Sequence, residues 1–140
     1  MIAELKALYT DYAEKVKAVR RAAKPFDGVF GFGNDPRNNP CHEAFFAAGG
    51  QWAETFANSQ PEQEQILEAA LFILEEPLQY KEKECYWYMF ASHANLKPLI
   101  PIMTGETAKM VLERFETLYP RRDRMPLQKE LLKALAKAAK

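Results

Sequence analysis

Residues 2–24, IAELKALYTDYAEKVKAVRRAAK, decide the fold class. Leu5, Leu8, Tyr9, Tyr12, Val16 and Val19 recur at steps of three and four, the spacing that stacks side chains on one face of an α-helix. Lys6, Asp11, Glu14, Lys15 and Lys17 fall elsewhere around the wheel, and Asp11 with Lys15 makes an i,i+4 ion pair. Arg20, Arg21 and Lys24 crowd the last turn, where the partial negative charge of the helix end favours cations. Pro25 has no N–H for a further turn, so the helix is predicted to stop there. A helix with one apolar stripe must bury that stripe against something, and the rest of the chain supplies further helices.

The same period returns downstream. Asn39 is the predicted N-cap of the next helix, with Pro40 at the first helical position, where its missing N–H costs nothing. Behind it, Cys41, Phe45, Ala48, Trp52 and Phe56 form a stripe. Gly49-Gly50 interrupts this helix at about 1 kcal/mol per glycine relative to alanine, which predicts a kink or a close approach by another helix. Ser59 and Glu62 are spaced as a capping box around Pro61, opening a helix through Ile66, Leu67, Ala70, Leu71, Ile73 and Leu74 that ends or kinks at Pro77. The next helix is predicted over residues 78–95. Its CYWYMF run at 85–90 covers every direction around the axis, as expected of a central helix surrounded by others.

LKPLIP is an extended connector. Thr104 caps a helix carrying Ala108, Val111, Leu112, Phe115 and Leu118, which Tyr119-Pro120 closes. After the bend RRDR, Pro126 opens a last helix with Leu127, Leu131, Leu132 and Leu135. No segment alternates as a strand does. The prediction is therefore an all-α fold in which residues 1–140 form a single compact bundle of about six helices, with one long aromatic-rich loop at 25–39. That loop carries Phe26, Val29, Phe30 and Phe32, which are expected to pin it to the helices.

Bulk composition agrees with one soluble domain. The chain has 140 residues, 48% hydrophobic and 27% charged, close to ordinary globular usage. Nineteen basic and nineteen acidic side chains cancel, so no overall field draws in nucleic acid. No apolar run approaches the roughly 18 residues of a membrane span, and the charged N-terminus does not resemble a signal peptide. Cys41 and Cys85 are too few and too far apart for a disulfide framework, so a cytoplasmic location with reduced thiols is expected.

Candidate chemistry concentrates around residues 28–42. Gly28, Gly31 and Gly33 run G-x-x-G-x-G after a helix, where a dinucleotide site needs G-x-G-x-x-G after a strand. They are expected only to let the loop turn. Cys41 and His42 fall in the first turn of their helix, where free N–H groups lower a thiol pKa. Cys41 is thus a candidate nucleophile with His42 or His93 as base, although its place on the Phe45–Trp52–Phe56 stripe also fits a small core residue. The two cysteines and two histidines lack zinc-module spacing, and no Glu-x-x-His occurs, so neither a metal nor another cofactor is expected. Arg37, Asn38, Asn39 and His42 form a corner that suits a small anionic ligand, or simply an Asx-Pro turn.

Residues 120–140 hold seven basic and two acidic side chains, while 60–84 hold seven glutamates and two lysines. The tail's lysines are spaced as a solvated helix face, so a nucleic-acid partner is not expected. With no complete catalytic constellation, the chain is expected to act by binding, to another protein or to itself as a homodimer. Surplus aromatics between 26 and 56 favour this, since such side chains enrich interface cores. A thiol-dependent enzyme or redox sensor at Cys41 is the alternative from another class, and an anion binder at residues 37–42 is the third.

Overall fold

The computed structural model describes residues 1–21, 38–79 and 86–140. Within them the fold is an all-α bundle: α1 (Ile2–Arg21), α2 (Asn39–Asn58), α3 (Gln63–Glu75), α4 (Tyr86–Ala94), α5 (Gly105–Leu118) and α6 (Pro126–Ala138). Single 3-10 turns at Glu76–Gln79, Ile100–Ile102 and Arg121–Asp123 link them. Most of the predicted 25–39 loop, including its phenylalanines, its glycines and Arg37, lies outside the described residues, as does Cys85.

Residue pairs give the helix directions. Tyr12 meets His42 and Tyr9 meets Phe45, while the Trp52 indole donates to the Met1 carbonyl at 2.8 Å, so α1 and α2 run antiparallel. Lys6 lies 3.9 Å from Glu68 and Tyr9 packs on Phe72, so α3 runs parallel to α1. His42 stacks on Trp87 and Phe46 on Phe90, which makes α4 parallel to α2. The Thr104 N–H donates to Gln63 Oε1 and Arg114 pairs with Glu75, so α5 follows α3 in direction. The tight return through Arg121–Asp123 sets α6 against α5.

The core fills the space these six axes enclose. Tyr9 is its centre, with edge contacts to Phe45 and Phe72 and a tilted contact to Tyr88. Leu5, Tyr12 and Val16 from α1 and Ile66, Ile73 and Leu74 from α3 are buried, as are Val111 and Phe115 from α5 and Leu131 and Leu135 from α6. Fully burying each such large side chain contributes roughly 1.5–3 kcal/mol. The stripes read from periodicity in α1, α3, α5 and α6 are the ones that face inward.

Several helix boundaries differ from expectation. The cap of α2 is Asn38, one residue earlier than predicted, and its side chain makes no capping bond. Asn38 is almost fully buried and its Oδ1 finds no hydrogen-bond partner among the described residues. The buried stripe keeps the predicted Phe45, Trp52 and Phe56, with His42 and Gly49 in place of Cys41 and Ala48. Cys41 and Ala48 are left half-buried at its edge. Ser59 closes α2 rather than opening α3, its hydroxyl donating to the Phe56 carbonyl at 2.6 Å. Glu62 is the cap of α3, and its N–H donates to Gln65 Oε1 at 3.1 Å. Thr104 caps α5 as predicted, accepting from the Thr107 N–H at 3.2 Å.

The fourth helix departs most from its prediction. It is described from Tyr86, and residues 76–79 form a 3-10 turn instead of its first turn. Nor is it surrounded on all sides. Tyr88, Ser92 and His93 are fully buried against α1, α3, α5 and α6 contacts, but Trp87 is 53% exposed.

Candidate functional site

Pro77 sets up the buried polar chemistry. An α-helix satisfies the carbonyl of residue i with the N–H of residue i+4, and proline has no N–H, so Ile73 O cannot be paired within α3. Ser92 from α4 takes its place: its hydroxyl donates to Ile73 O at 2.8 Å. Having given its only hydrogen there, Ser92 accepts from the Tyr9 hydroxyl at 2.6 Å, and Tyr9 in turn accepts from Asn95 Nδ2 at 3.3 Å. The chain Asn95, Tyr9, Ser92, Ile73 thus has one consistent donor direction. Burial pushes the Tyr9 phenol above its ordinary range, so it stays a donor.

A second chain of the same kind contains His93. The Tyr119 hydroxyl donates to Leu74 O at 2.6 Å, so it accepts from His93 Nε2 at 3.2 Å. His93 Nδ1 then accepts from Gln128 Nε2 at 3.3 Å. Gln128 is fixed in that orientation because its Oε1 takes the Met125 N–H at 2.8 Å. Burial drives the His93 pKa down to about 3, and the hydrogen bonds agree, because a proton on Nδ1 would face the Gln128 amide donor. Both ring nitrogens are engaged inside the core, with Phe115 tilted against the imidazole and Tyr119 perpendicular to it.

The two predicted histidines are therefore held apart. His93 looks toward α5 and α6, whereas His42 shares a 2.7 Å hydrogen bond with the Tyr12 hydroxyl and packs beside Trp87. Cys41 is a free, half-buried thiol at the start of α2. Of the predicted anion corner, Asn38 is buried, Asn39 is exposed and Arg37 lies outside the described residues. Among the described residues no three histidine, cysteine or acidic side chains gather closely enough to hold a metal ion.

The surface offers a feature that sequence reasoning did not single out. Between α2 and α4, residues His42, Glu43, Phe46, Trp87, Phe90 and Ala91 line an open cleft of about 230 Å³ whose wall is almost wholly apolar. Phe46 is 48% exposed and Trp87 53%. Their positions follow from two aromatic doublets. Neighbouring residues on a helix diverge by about 100°, so when Phe45 and Tyr88 enter the core, Phe46 and Trp87 must leave it. The rings left outside cluster: Phe46 and Phe90 lie parallel at 6.1 Å, and Trp87 stands edge-on to Phe90 at 6.4 Å.

A shallower groove of about 520 Å³ runs between α1 and α2 past Leu8, Ala48 and Trp52. It shows no large exposed aromatic, since Trp52 is 6% exposed with its indole N–H already bonded. The basic side chains of the C-terminal region that the structure describes as exposed include Arg121, Arg122, Lys129 and Lys133, on the solvent side of the bundle. No helix among the described residues is long and apolar enough to cross a membrane. Comparison of the chain with models of protein families, with characterised proteins and with solved structures finds no match.

Proposed function

We propose that this protein works by binding another protein, and that the α2–α4 face carrying Phe46, Trp87 and Phe90 is where the partner docks. The observation that carries the proposal is the pair of half-exposed large aromatics, Phe46 and Trp87, set in one cluster around an apolar cleft. Contiguous exposed apolar surface of this kind marks interaction sites in soluble proteins, and tryptophan is enriched among the residues that dominate binding energy. The helices behind the face are anchored to the core, α2 and α4 through the Phe45–Tyr88 ring contact and α4 through the Ser92 hydrogen bond to Tyr9. A preformed surface loses little conformational entropy on association. A cytoplasmic setting is part of the proposal, supported by Cys41 standing as a free thiol.

Trp87→Ser and Phe46→Ser separate a binding role from a packing role. Removing surface aromatics changes stability by only about 0.5 kcal/mol, whereas removing core aromatics costs about 3–5 kcal/mol. Both variants are expected to melt within a few degrees of the parent and to lose association. Light scattering after size exclusion shows whether the partner is a second copy, which would double the 16.1 kDa mass. A large loss of stability in both variants would show that the aromatics serve the fold and would end the proposal.

A further inference from the structure

Two helices of this chain carry outward stripes that match each other, and we infer that the basic stripe of α6 on one copy docks on the acidic stripe of α3 on a second copy. The inference goes beyond the α2–α4 face and concerns a different surface. On α3, Glu64, Glu68, Leu71 and Glu75 fall at i, i+4, i+7 and i+11, the spacing of one helix face. That face lies opposite the buried Ile66, Ala70 and Ile73. Leu71 is only partly covered and stands apart from the core cluster. Along α6 and just past its end, Lys129, Lys133, Ala136 and Lys140 repeat the same spacing. All four are exposed, opposite the buried Leu127, Leu131 and Leu135. A span from i to i+11 makes each stripe about 16 Å long.

Register and charge agree. With the two helices laid parallel, Glu64 comes opposite Lys129, Glu68 opposite Lys133 and Glu75 opposite Lys140, while Leu71 meets the small Ala136. Helix α3 contains no lysine or arginine, and Glu130 is the one acid of α6. Among the described residues no carboxylate pairs with Lys129, Lys133 or Lys140, and no cation pairs with Glu64. Glu68 has Lys6 at 3.9 Å and Glu75 has Arg114 at 2.9 Å, yet their side chains stay 58% and 42% exposed, so a second cation can reach them. The stripes do not satisfy each other within one copy, because α5 packs against both helices and holds them apart. A nucleic acid would use the lysines alone, whereas a second copy uses both stripes. The two surfaces differ, so the contact is heterologous and copies add head to tail. Exposed ion pairs are individually weak and screened by salt, which makes this association reversible and salt-sensitive.

The test is sedimentation velocity of the full chain over a range of concentrations, in about 0.05 M and about 0.5 M sodium chloride. At low salt the weight-average mass is expected to climb above 16.1 kDa with concentration. At high salt the dissociation constant is expected to weaken by about tenfold or more. Two charge-reversed chains make the decisive comparison, one carrying Lys129→Glu with Lys133→Glu and the other Glu64→Lys with Glu68→Lys. Each alone is expected to stay monomeric, since its two stripes then repel. Their equimolar mixture is expected to associate again, because each reversed stripe meets the opposite charge on the other chain. If a reversed chain does not fold, the neutral Lys133→Gln and Glu68→Gln chains must each weaken the parent's association several-fold. A monomer at every concentration in low salt, or a mixture as monomeric as its components, overturns the inference. So does association that salt leaves unchanged and Trp87→Ser abolishes, which would put the self-contact on the α2–α4 face instead.

Discussion

His93 is held neutral by neighbours that leave no room for a second ring proton. Tyr119 spends its hydrogen on Leu74 O, and Gln128 is anchored by the Met125 N–H, so Nε2 must donate and Nδ1 must accept. Its folded pKa of about 3 lies below the ordinary 6.5 of the unfolded chain. Between those values only the unfolded state binds the proton, so stability is complete above about pH 6.5 and falls as the pH drops toward 3, by up to about 1.4 kcal/mol per unit. Urea unfolding from pH 6.5 to 5 should show a shallower slope for His93→Asn than for the parent; identical slopes would contradict the buried neutral ring. Gly49 and Gly50 make a second contrast. A Cβ on Gly49 would lie 2.8 Å from the Asn95 amide, itself bound to Tyr9, while one on Gly50 meets nothing within 4 Å. Gly49→Ala is expected to destabilise by about 1–3 kcal/mol through overpacking, and Gly50→Ala to stabilise by up to about 1 kcal/mol; thermal melts of the two variants should move in opposite directions.

The helices illustrate what periodicity fixes and what it leaves open. Apolar spacing identified α1, α3, α5 and α6 and the faces they bury, because a stripe three and four residues apart has one way to meet a core. Caps were less legible. In α2 the cap is Asn38 where Asn39 was expected; Phe45, Trp52 and Phe56 are buried as their spacing predicts, while at the edge of the stripe His42 and Gly49 are buried in place of Cys41 and Ala48. The glycine pair was correctly a point of close approach, but which glycine was touched depended on Asn95, almost fifty residues away in sequence. Pro77 signalled the end of α3 without signalling its consequence, that Ile73 O would need a donor from α4. Ser92→Ala removes that donor and leaves a buried carbonyl unpaired and Tyr9 without its acceptor. A loss of about 1–3 kcal/mol is expected in urea unfolding, and a change below about 0.5 kcal/mol would show that the chain through Tyr9 does not hold α3 to α4.

Taken as a whole, the bundle puts its chemistry-bearing groups inside and its aromatic surplus outside. His93, Tyr9, Ser92 and Tyr119 are buried and mutually satisfied, which ties them to stability. The sequence drew attention to Cys41, His42 and His93 because thiols and imidazoles are conspicuous, whereas the exposed face was written in the doublets Phe45-Phe46 and Trp87-Tyr88. Two bulky neighbours on a helix cannot both enter one core, so each doublet announces an exposed aromatic. Only the packing of α2 parallel to α4 shows that both outward rings pack against Phe90 and line one cleft. The central claim, that this face docks a partner, is tested most directly by placing a photoreactive benzophenone side chain at position 46 and irradiating in cell extract. The account predicts one discrete crosslinked species, lost when Trp87→Ser is added to the same chain while its far-UV spectrum is unchanged. No crosslink, or a smear that Trp87→Ser leaves intact, would contradict it.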